Sequence, residues 1–294
     1  MDAVLVLAPA VEELTGRQPI RLDARGFFSG AGGRIRRHGD RVRLTDPAGR
    51  AVEAGTVLVY QIDPADVRRF SRAQGTLAAA GVAPLAGDRM VWRNAIEKDR
   101  TVRCFARAGV PHPQTVALRR PSLRYARTAF TRLGGDVWTK PTVGERGQLV
   151  RHVTSLAQLR DAVDGYAAAG QDWLMSRDAG NWHPRGGRQC YRITVLDGRP
   201  LYAADHRQTD TDRPTNEAAG AHSVVVPLDQ VPDRAVSAAV AATSAVGLRF
   251  GGVDVAVTAN GFTVFEVNVH PGLQLTNHYQ PVAIPWVRAQ LRTP

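Results

Sequence analysis

The sequence predicts an α+β chain in which short helices and strands alternate, with antiparallel sheets in the later part. Two hairpin signals carry that expectation. Asp197-Gly198 lies between the apolar runs Tyr191–Leu196 and Pro200–Asp205, and Asn260-Gly261 lies between Val253–Val257 and Thr263–Val267. The third observation is a set of helical patterns ended by glycine: Asp66–Ala80 by Gly81, Glu97–Ala108 by Gly109, and Asp233–Val246 by Gly247. A chain of 294 residues exceeds what one core usually fills, so two or three subdomains are expected.

In chain order, Val4–Leu7 reads as a first buried strand, since no basic segment precedes it as in a signal peptide. The cluster Gly30-Ala31-Gly32-Gly33 reads as a turn, because Ile35 stands where a dinucleotide fingerprint needs its third glycine. Arg41–Leu44 alternates like a half-exposed strand, and Val57–Tyr60 is a second β-type run. The pattern changes near Gly87. Beyond it come a strand at Thr115–Leu118, a helix over Pro121–Leu133, and strands at Val137–Lys140 and Leu149–Val153. A helix over Ser155–Ala168 has Ser155 as its N-cap, and Trp173-Leu174-Met175 forms a short strand. Val224–Val226 is a strand, and Pro281–Leu291 a closing helix.

Composition narrows the function classes. No run of about 20 apolar residues occurs, so no membrane span is expected. Cys104 and Cys190 form no CxxC pair, which gives zinc and dithiol chemistry no support and suits a reducing, cytoplasmic setting. The formal net charge of +11 invites a nucleic-acid reading. The excess is nearly all arginine and is spread along the chain, with neither a clustered basic face nor base-reading aromatics, so anion binding accounts for the sign equally well.

The chemistry sits in two places. Asp254 lies in the apolar run Val253–Val257, and Glu266 and Asn268 share one face of the next run. If the two runs pair through the hairpin turn, the two carboxylates and the amide oxygen converge, and like charges that close call for a cation. Hard oxygen donors point to Mg²⁺, whereas the bland alternative is a solvated sheet face. The second place is Lys140, which ends a β-type run and is followed by the turn Thr142–Gly147, a form that suits a phosphate. No GxxxxGK[ST] occurs, which excludes a P-loop. Lys98 opens a helix, where an ammonium opposes the dipole unless it reaches across to an anion.

Three segments together resemble the ATP-grasp family: Glu97–Thr115, Trp138-Thr139-Lys140-Pro141 with Gly144 and Gly147, and Asp254 followed by Phe265–Leu273. The similarity is greatest to RimK-type ligases and their amino-carrier-protein relatives, and spans about residues 90–275. It implies an N-terminal α/β domain over residues 1–86, a central ATP-grasp subdomain over 87–170, and a C-terminal one over 171–294 that carries the metal site. ATP is clasped between the last two. By the same resemblance Lys98 and Lys140 contact phosphates, Gly144 and Gly147 shape the phosphate turn, and the backbone of Trp173, Leu174 and Met175 reads adenine. Asp178 holds the ribose, and Arg192, Arg207 and Asn216 serve the phosphoryl and acceptor centre. Asp254, Glu266 and Asn268 hold two Mg²⁺ ions, with Mn²⁺ as an alternative, and a homodimer is expected.

The implied reaction is ADP-forming amide synthesis between an amine and a carboxylate activated as an acyl phosphate, on an amino acid or peptide substrate. The Glu145-Arg146 pair departs from the small residues of the family's turn, and Ser176–Gln189 is longer than its counterpart. With Asn181-Trp182-His183-Pro184 inside, that segment reads as a substrate contact or as a plain surface loop. His270 reads as shaping the substrate pocket rather than as a base. Leu248–Asp254 and Thr258–Gly261 also resemble graspetide synthetases, which close rings within a precursor peptide. A nucleotide-binding regulator without catalysis is the remaining alternative, against which stand both lysines and all three metal-ligand positions.

Overall fold

The computed structural model describes residues 3–291. Its first element is a helix, α1 (Val4–Thr15), not the strand that Val4–Leu7 suggests. A short apolar run fits either period. Burial decides it here, because Ala3, Val6, Leu7 and Ala10 form one buried stripe at helical spacing. Gly16 closes the helix in the left-handed region, at φ +67.

Strands β1 (Arg34–His38), β2 (Arg41–Thr45) and β3 (Ala51–Ala54) form an antiparallel meander. In β2 the expected alternation holds, with Val42 and Leu44 buried and both arginines exposed. Val57–Tyr60 joins no sheet. It runs past the C-terminal part instead, where the Tyr60 hydroxyl donates to the Pro271 carbonyl at 2.7 Å. Helix α2 (Val67–Ala79) ends before Gly81, as expected. Helix α3 (Arg89–Ile96), with Asp88 as its cap, was not separable in the sequence from α4 (Lys98–Ala108), which follows one residue later.

The middle of the chain follows its sequence closely: β4 (Thr115–Leu118), α5 (Leu123–Arg132), β5 (Val137–Pro141), β6 (Arg151–Val153), α6 (Leu156–Ala168) and β7 (Trp173–Arg177). The strands form one antiparallel sheet in the order β4-β7-β5-β6. Residues of α5 and α6, Tyr166 among them, share a buried cluster with Leu118, Val137, Val153 and Trp173 of the sheet. Ser155 caps α6 in a reciprocal capping box with Gln158.

A larger antiparallel sheet contains β8 (Arg188–Leu196), β9 (Arg199–Gln208), β10 (His222–Val225), β11 (Phe250–Thr258) and β12 (Gly261–Asn268), in the order β10-β9-β8-β11-β12. Helix α7 (Asp233–Val246) lies on one face through Ala235, Ala239, Ala242 and Val246, small residues that let it approach the sheet. The chain closes with α8 (Leu275–His278), a π-type turn at Tyr279–Ala283 and α9 (Ile284–Leu291). The expected single helix from Pro281 is therefore shorter, because Pro281 lies in the π-type turn. Helices α1 and α9 share a second buried cluster with Tyr202, Ala204 and Phe250 on the sheet's other face.

The β11–β12 hairpin turns one residue earlier than Asn260-Gly261 suggests. Ala259 and Asn260 form the turn, and Gly261 already pairs with Thr258. That register puts Val255 opposite Val264 and, if continued, would put Asp254 opposite Phe265. A bulge after Asp254 takes up one extra residue and places Glu266 opposite Asp254 instead. Asp254 and Glu266 are therefore neighbours as expected, although the Asn260-Gly261 turn by itself would have put Val267 opposite Asp254.

The capping box gives a stability test away from any cleft. Ser155→Ala is expected to lower unfolding free energy by about 1 kcal/mol, read from urea midpoints. Nucleotide affinity should be unchanged.

Candidate active site

On the large sheet, β8, β11 and β12 lie side by side, and Arg192, Asp254 and Glu266 are cross-strand neighbours on one face. Arg192 grips Asp254 in a bidentate pair, donating from Nε and, at 2.9 Å, from Nη2. Asn268, two residues past Glu266, donates to the Gly252 carbonyl at 3.2 Å. Gly252 must lack a side chain, since a Cβ there would lie 2.7 Å from Pro271 and 3.2 Å from the Arg192 stem. Burial disfavours charge on Glu266, but Lys98, Lys140 and Arg192 outweigh it and hold the carboxyl below its usual range. Burial also works against the Arg192 cation, and the Asp254 charge more than offsets it, so its pKa is raised.

The chain has two lysines in all, and both face this row. Lys140, in β5, donates to the Phe265 carbonyl at 3.1 Å and lies 3.9 Å from Glu266 Oε2. Lys98, at the start of α4, donates from Nζ to the Gly144 carbonyl at 2.8 Å, and its backbone N–H donates to Thr142 at 2.9 Å. Burial lowers its pKa. The start of α4 is anchored by Glu97, a buried carboxylate that accepts from Arg68, Arg93 and Arg100 at 2.8–3.2 Å.

The turn after Lys140 is tightly seated. A side chain on Gly144 would crowd Pro141 at 3.0 Å, and Gly147, at φ +71, leaves room for Pro214. Glu145 and Arg146 pair with each other at 3.3 Å and line the cleft.

Two of the expected nucleotide contacts are corrected by the sheet. Strand β7 lies between β4 and β5 and pairs with both, so the backbone of Trp173, Leu174 and Met175 is committed to the ladders and all three side chains are buried. The cleft is lined instead by the strand's exit, Ser176, Arg177 and Ala179. Asp178 is also engaged: Oδ2 accepts from Trp138 Nε1 at 2.7 Å and from Arg188 Nη1 at 2.7 Å, and Oδ1 caps Gly180. The long segment after it folds over this end of the cleft, with Trp182 4.3 Å from the Arg188 guanidinium. Arg188 is 2% exposed, and nothing in the sequence marks it as different from the many surface arginines.

Beyond Glu266 the cleft opens into a wider cavity of about 620 Å³, which Glu145, Arg146, Asn216 and Glu266 also line. Asn216 caps a short helical turn through Oδ1 and stands where the two spaces meet. Arg207 does not reach either space. Strand alternation puts Ala204 and His206 on the Arg192 side and turns Arg207 to the other face, where it pairs with Asp205 at 2.6 Å. His206, buried, lines this cavity because a bulge between Thr194 and Val195 puts Ala204 rather than Ala203 opposite Arg192. Tyr60, Gln61, Ile62 and Asp63 also line it, a contribution of the N-terminal part that no sequence signal announced. His270 lines it as expected, with its ring 4.9 Å from both Tyr60 and Trp92.

Burial pushes the His270 imidazole down from its ordinary 6.5 to about 3, so it is neutral at pH 7. Between those values the unfolded chain binds a proton that the folded chain refuses, so stability is lost as pH falls. Urea titrations from pH 7 to 4 should show that slope, and His270→Phe should flatten part of it. An unchanged slope in the variant would mean that His270 does not titrate as its burial requires.

Residues 95–286 match the family model of the RimK-like ATP-grasp domain. No curated protein matches the chain in sequence. Among solved structures, the chain is similar to macrocyclase MdnC from Microcystis aeruginosa bound with its precursor peptide MdnA, with a TM-score of 0.69 and 14% identity over 100% of this chain and 96% of that one. It is similar to the ATP-grasp ligase PsnB complexed with a minimal precursor, Mg and ADP, at TM-score 0.66 and 15% identity over 98% and 93%. D-alanine–D-alanine ligase from Bacillus anthracis matches at TM-score 0.59 and 18% identity, over 74% and 75%. With the matched domain spanning well over half its length, the chain belongs to the RimK-like ATP-grasp family, whose members are ATP- and Mg²⁺-dependent ligases that form carbon–nitrogen bonds with release of ADP.

Proposed function

We propose that the Arg192–Asp254–Glu266 row, faced by Lys98 and Lys140 across the cleft, is where a substrate carboxylate is phosphorylated and then captured by an amine. The cross-strand alignment of that row opposite the chain's two lysines is the observation that carries this reading. Lys98 and Lys140 hold and orient the phosphates of ATP, and Arg192 balances charge developing on the transferred group. Asn216 orients the acceptor where the cleft meets the wider cavity. The donor set of Asp254, Glu266 and Asn268, two carboxylates and an amide oxygen on neighbouring strands, fits Mg²⁺. When bound there, one or two Mg²⁺ ions, or Mn²⁺, supply charge neutralisation at the phosphates. The exit of β7 flanks the base. Charge complementarity favours an anionic acceptor, a free amino acid or a peptide, and two free thiols suit a reducing cytoplasm. No helix among the described residues is long and apolar enough to cross a membrane. A homodimer remains part of this reading by family resemblance.

A second reading, ring closure within a peptide, is favoured by one observation. The MdnC and PsnB structures match 98–100% of the chain, including the part before residue 95 that the family model leaves out. Incubation with Mg-ATP and separate panels of amino acids and acidic peptides, followed by mass spectrometry, distinguishes the two. Intermolecular amides support the first reading, and loss of one water within a peptide supports the second. Stoichiometric AMP and pyrophosphate would exclude both.

Glu266→Gln keeps the shape of the site and removes one charge. Turnover is expected to vanish and the unliganded melting temperature to fall, because the neutral side chain loses its attraction to Lys98, Lys140 and Arg192. The stabilisation by Mg-ATP should shrink, because it follows RT ln(1 + [L]/Kd). Full activity with an unchanged Mg-ATP shift would make this row a solvated sheet face.

A further inference from the structure

Away from the reacting centre, His152 of β6 stands between two carboxylates. Its Nε2 lies 2.7 Å from Asp136 Oδ1, just before β5, and its Nδ1 lies 2.7 Å from Asp212 Oδ1, in the loop after β9. A neutral imidazole has one N–H, so its second nitrogen would turn a lone pair toward a carboxylate oxygen at hydrogen-bond distance. The carboxylates are 56% and 77% exposed and the ring only 9%, so the imidazole is enclosed between two solvated anions. The ring also lies flat on Trp138, 4.7 Å between centroids and 12° from parallel, a face that favours a cation. Asp136, His152 and Asp178 come close enough together to suggest a metal. Both ring nitrogens are engaged, however, and Asp178 is already neutralised by Arg188 at 2.7 Å.

The loop that holds Asp212 also carries Pro214 and Asn216, which line the cleft. Pro214 packs beside Gly147 of the phosphate turn. The loop is fastened at a second point, where Arg188 Nε donates to the Thr211 carbonyl at 2.7 Å. We propose that His152 is a positioning residue: as an imidazolium it bridges Asp136 and Asp212 and so latches the 209–216 loop over the nucleotide cleft. The inference rests on that cleft being the ATP site. The charged groups facing the ring are Asp136, Asp178, Asp212 and Arg188. With Asp178 and Arg188 paired, Asp136 and Asp212 are the charges left facing the ring. Deprotonation removes one of the two N–H donors. The remaining N–H is shared between Asp136 and Asp212, so the loop's attachment at Asp212 weakens while the Arg188–Thr211 bond and the sheet stay intact.

The test is Mg-ATP affinity by calorimetry for wild type, His152→Phe, which keeps the stack without donors, and Asp212→Ala, at about pH 6 and about pH 9, spanning the imidazole range. Comparing variants with wild type cancels the titration of ATP itself. At the lower pH wild type should bind about three- to tenfold more tightly than either variant, the worth of one partly exposed charge-assisted bond, and at the higher pH the gap should narrow. Parallel pH curves, with any gap constant, would mean a merely structural role and overturn the proposal. Asp212 is exposed, so its variant keeps the test available if His152→Phe fails to fold. Imidazole nitrogen spectra give a readout without nucleotide. Two protonated ring nitrogens on His152 at the lower pH are expected, and a singly protonated ring there overturns the latch. Failure of wild type to bind Mg-ATP at either pH, with a doubly protonated ring, overturns the nucleotide reading of the cleft and the latch's stated role with it.

Discussion

Everything at the proposed reacting centre depends on the register of one hairpin. Side chains alternate faces along a strand, so a slip of one residue would turn Glu266 and Asn268 away from Asp254. The Ala259-Asn260 turn alone sets the wrong partner for Asp254, and the bulge after Asp254 restores the right one. Bulges re-aim side chains where a ladder must serve chemistry as well as pairing. Here the bulge lets β11 and β12 stay apolar and fully packed toward α7, through Val253, Val255, Val264 and Val267, while their other face collects charge.

That charge is collected from separate parts of the chain. Asp254 and Glu266 come from the large sheet, Lys140 from the central sheet and Lys98 from the start of α4. Arg192 balances Asp254 from the adjacent strand, and the lysines balance Glu266 from across the cleft. Each lysine is held by something other than the anion it faces. Lys98 is held by the Gly144 carbonyl and by Glu97 with its three arginines, and Lys140 by the Phe265 carbonyl. Such a site is preorganised, because its donors are fixed before a substrate arrives.

How much of this the sequence disclosed depended on whether the deciding forces were local. Gly81, Gly109 and Gly247 marked helix ends correctly because a left-handed cap is a property of one residue. Ser155 was readable as a cap for the same reason. The run Val4–Leu7 was misread because its period is ambiguous over four residues and its partner, α9, lies at the other end of the chain. Asp254, Glu266 and Asn268 were legible because polar residues in an apolar strand demand a reason. That the backbone of Trp173–Met175 is committed to two ladders could not be read in advance, since only the sheet order reveals that β7 has no free edge. Arg207 lies on the face away from Arg192 because the bulge between Thr194 and Val195 makes Ala204 the partner of Arg192, a register shift with no sequence signal. Arg188 and His152 were invisible for a different reason: their partners, Asp178, Asp136 and Asp212, come from three separate segments.

The two lysines have a consequence for the chemistry of the protein as a material. An acyl phosphate acylates any free amine it meets, and an exposed lysine on the enzyme's own surface would compete with the intended acceptor. Here 36 of the 38 basic side chains are arginines, whose guanidinium stays protonated and is a poor nucleophile at neutral pH. A mixed anhydride escaping from the cleft therefore finds no bystander side-chain amine on this chain to modify. The side-chain amines an acylating reagent can address are the two inside the site. Burial disfavours the charge on Lys98 and so eases the loss of its proton. An amine-directed label thus becomes a reporter of the nucleotide cleft rather than of the molecular surface.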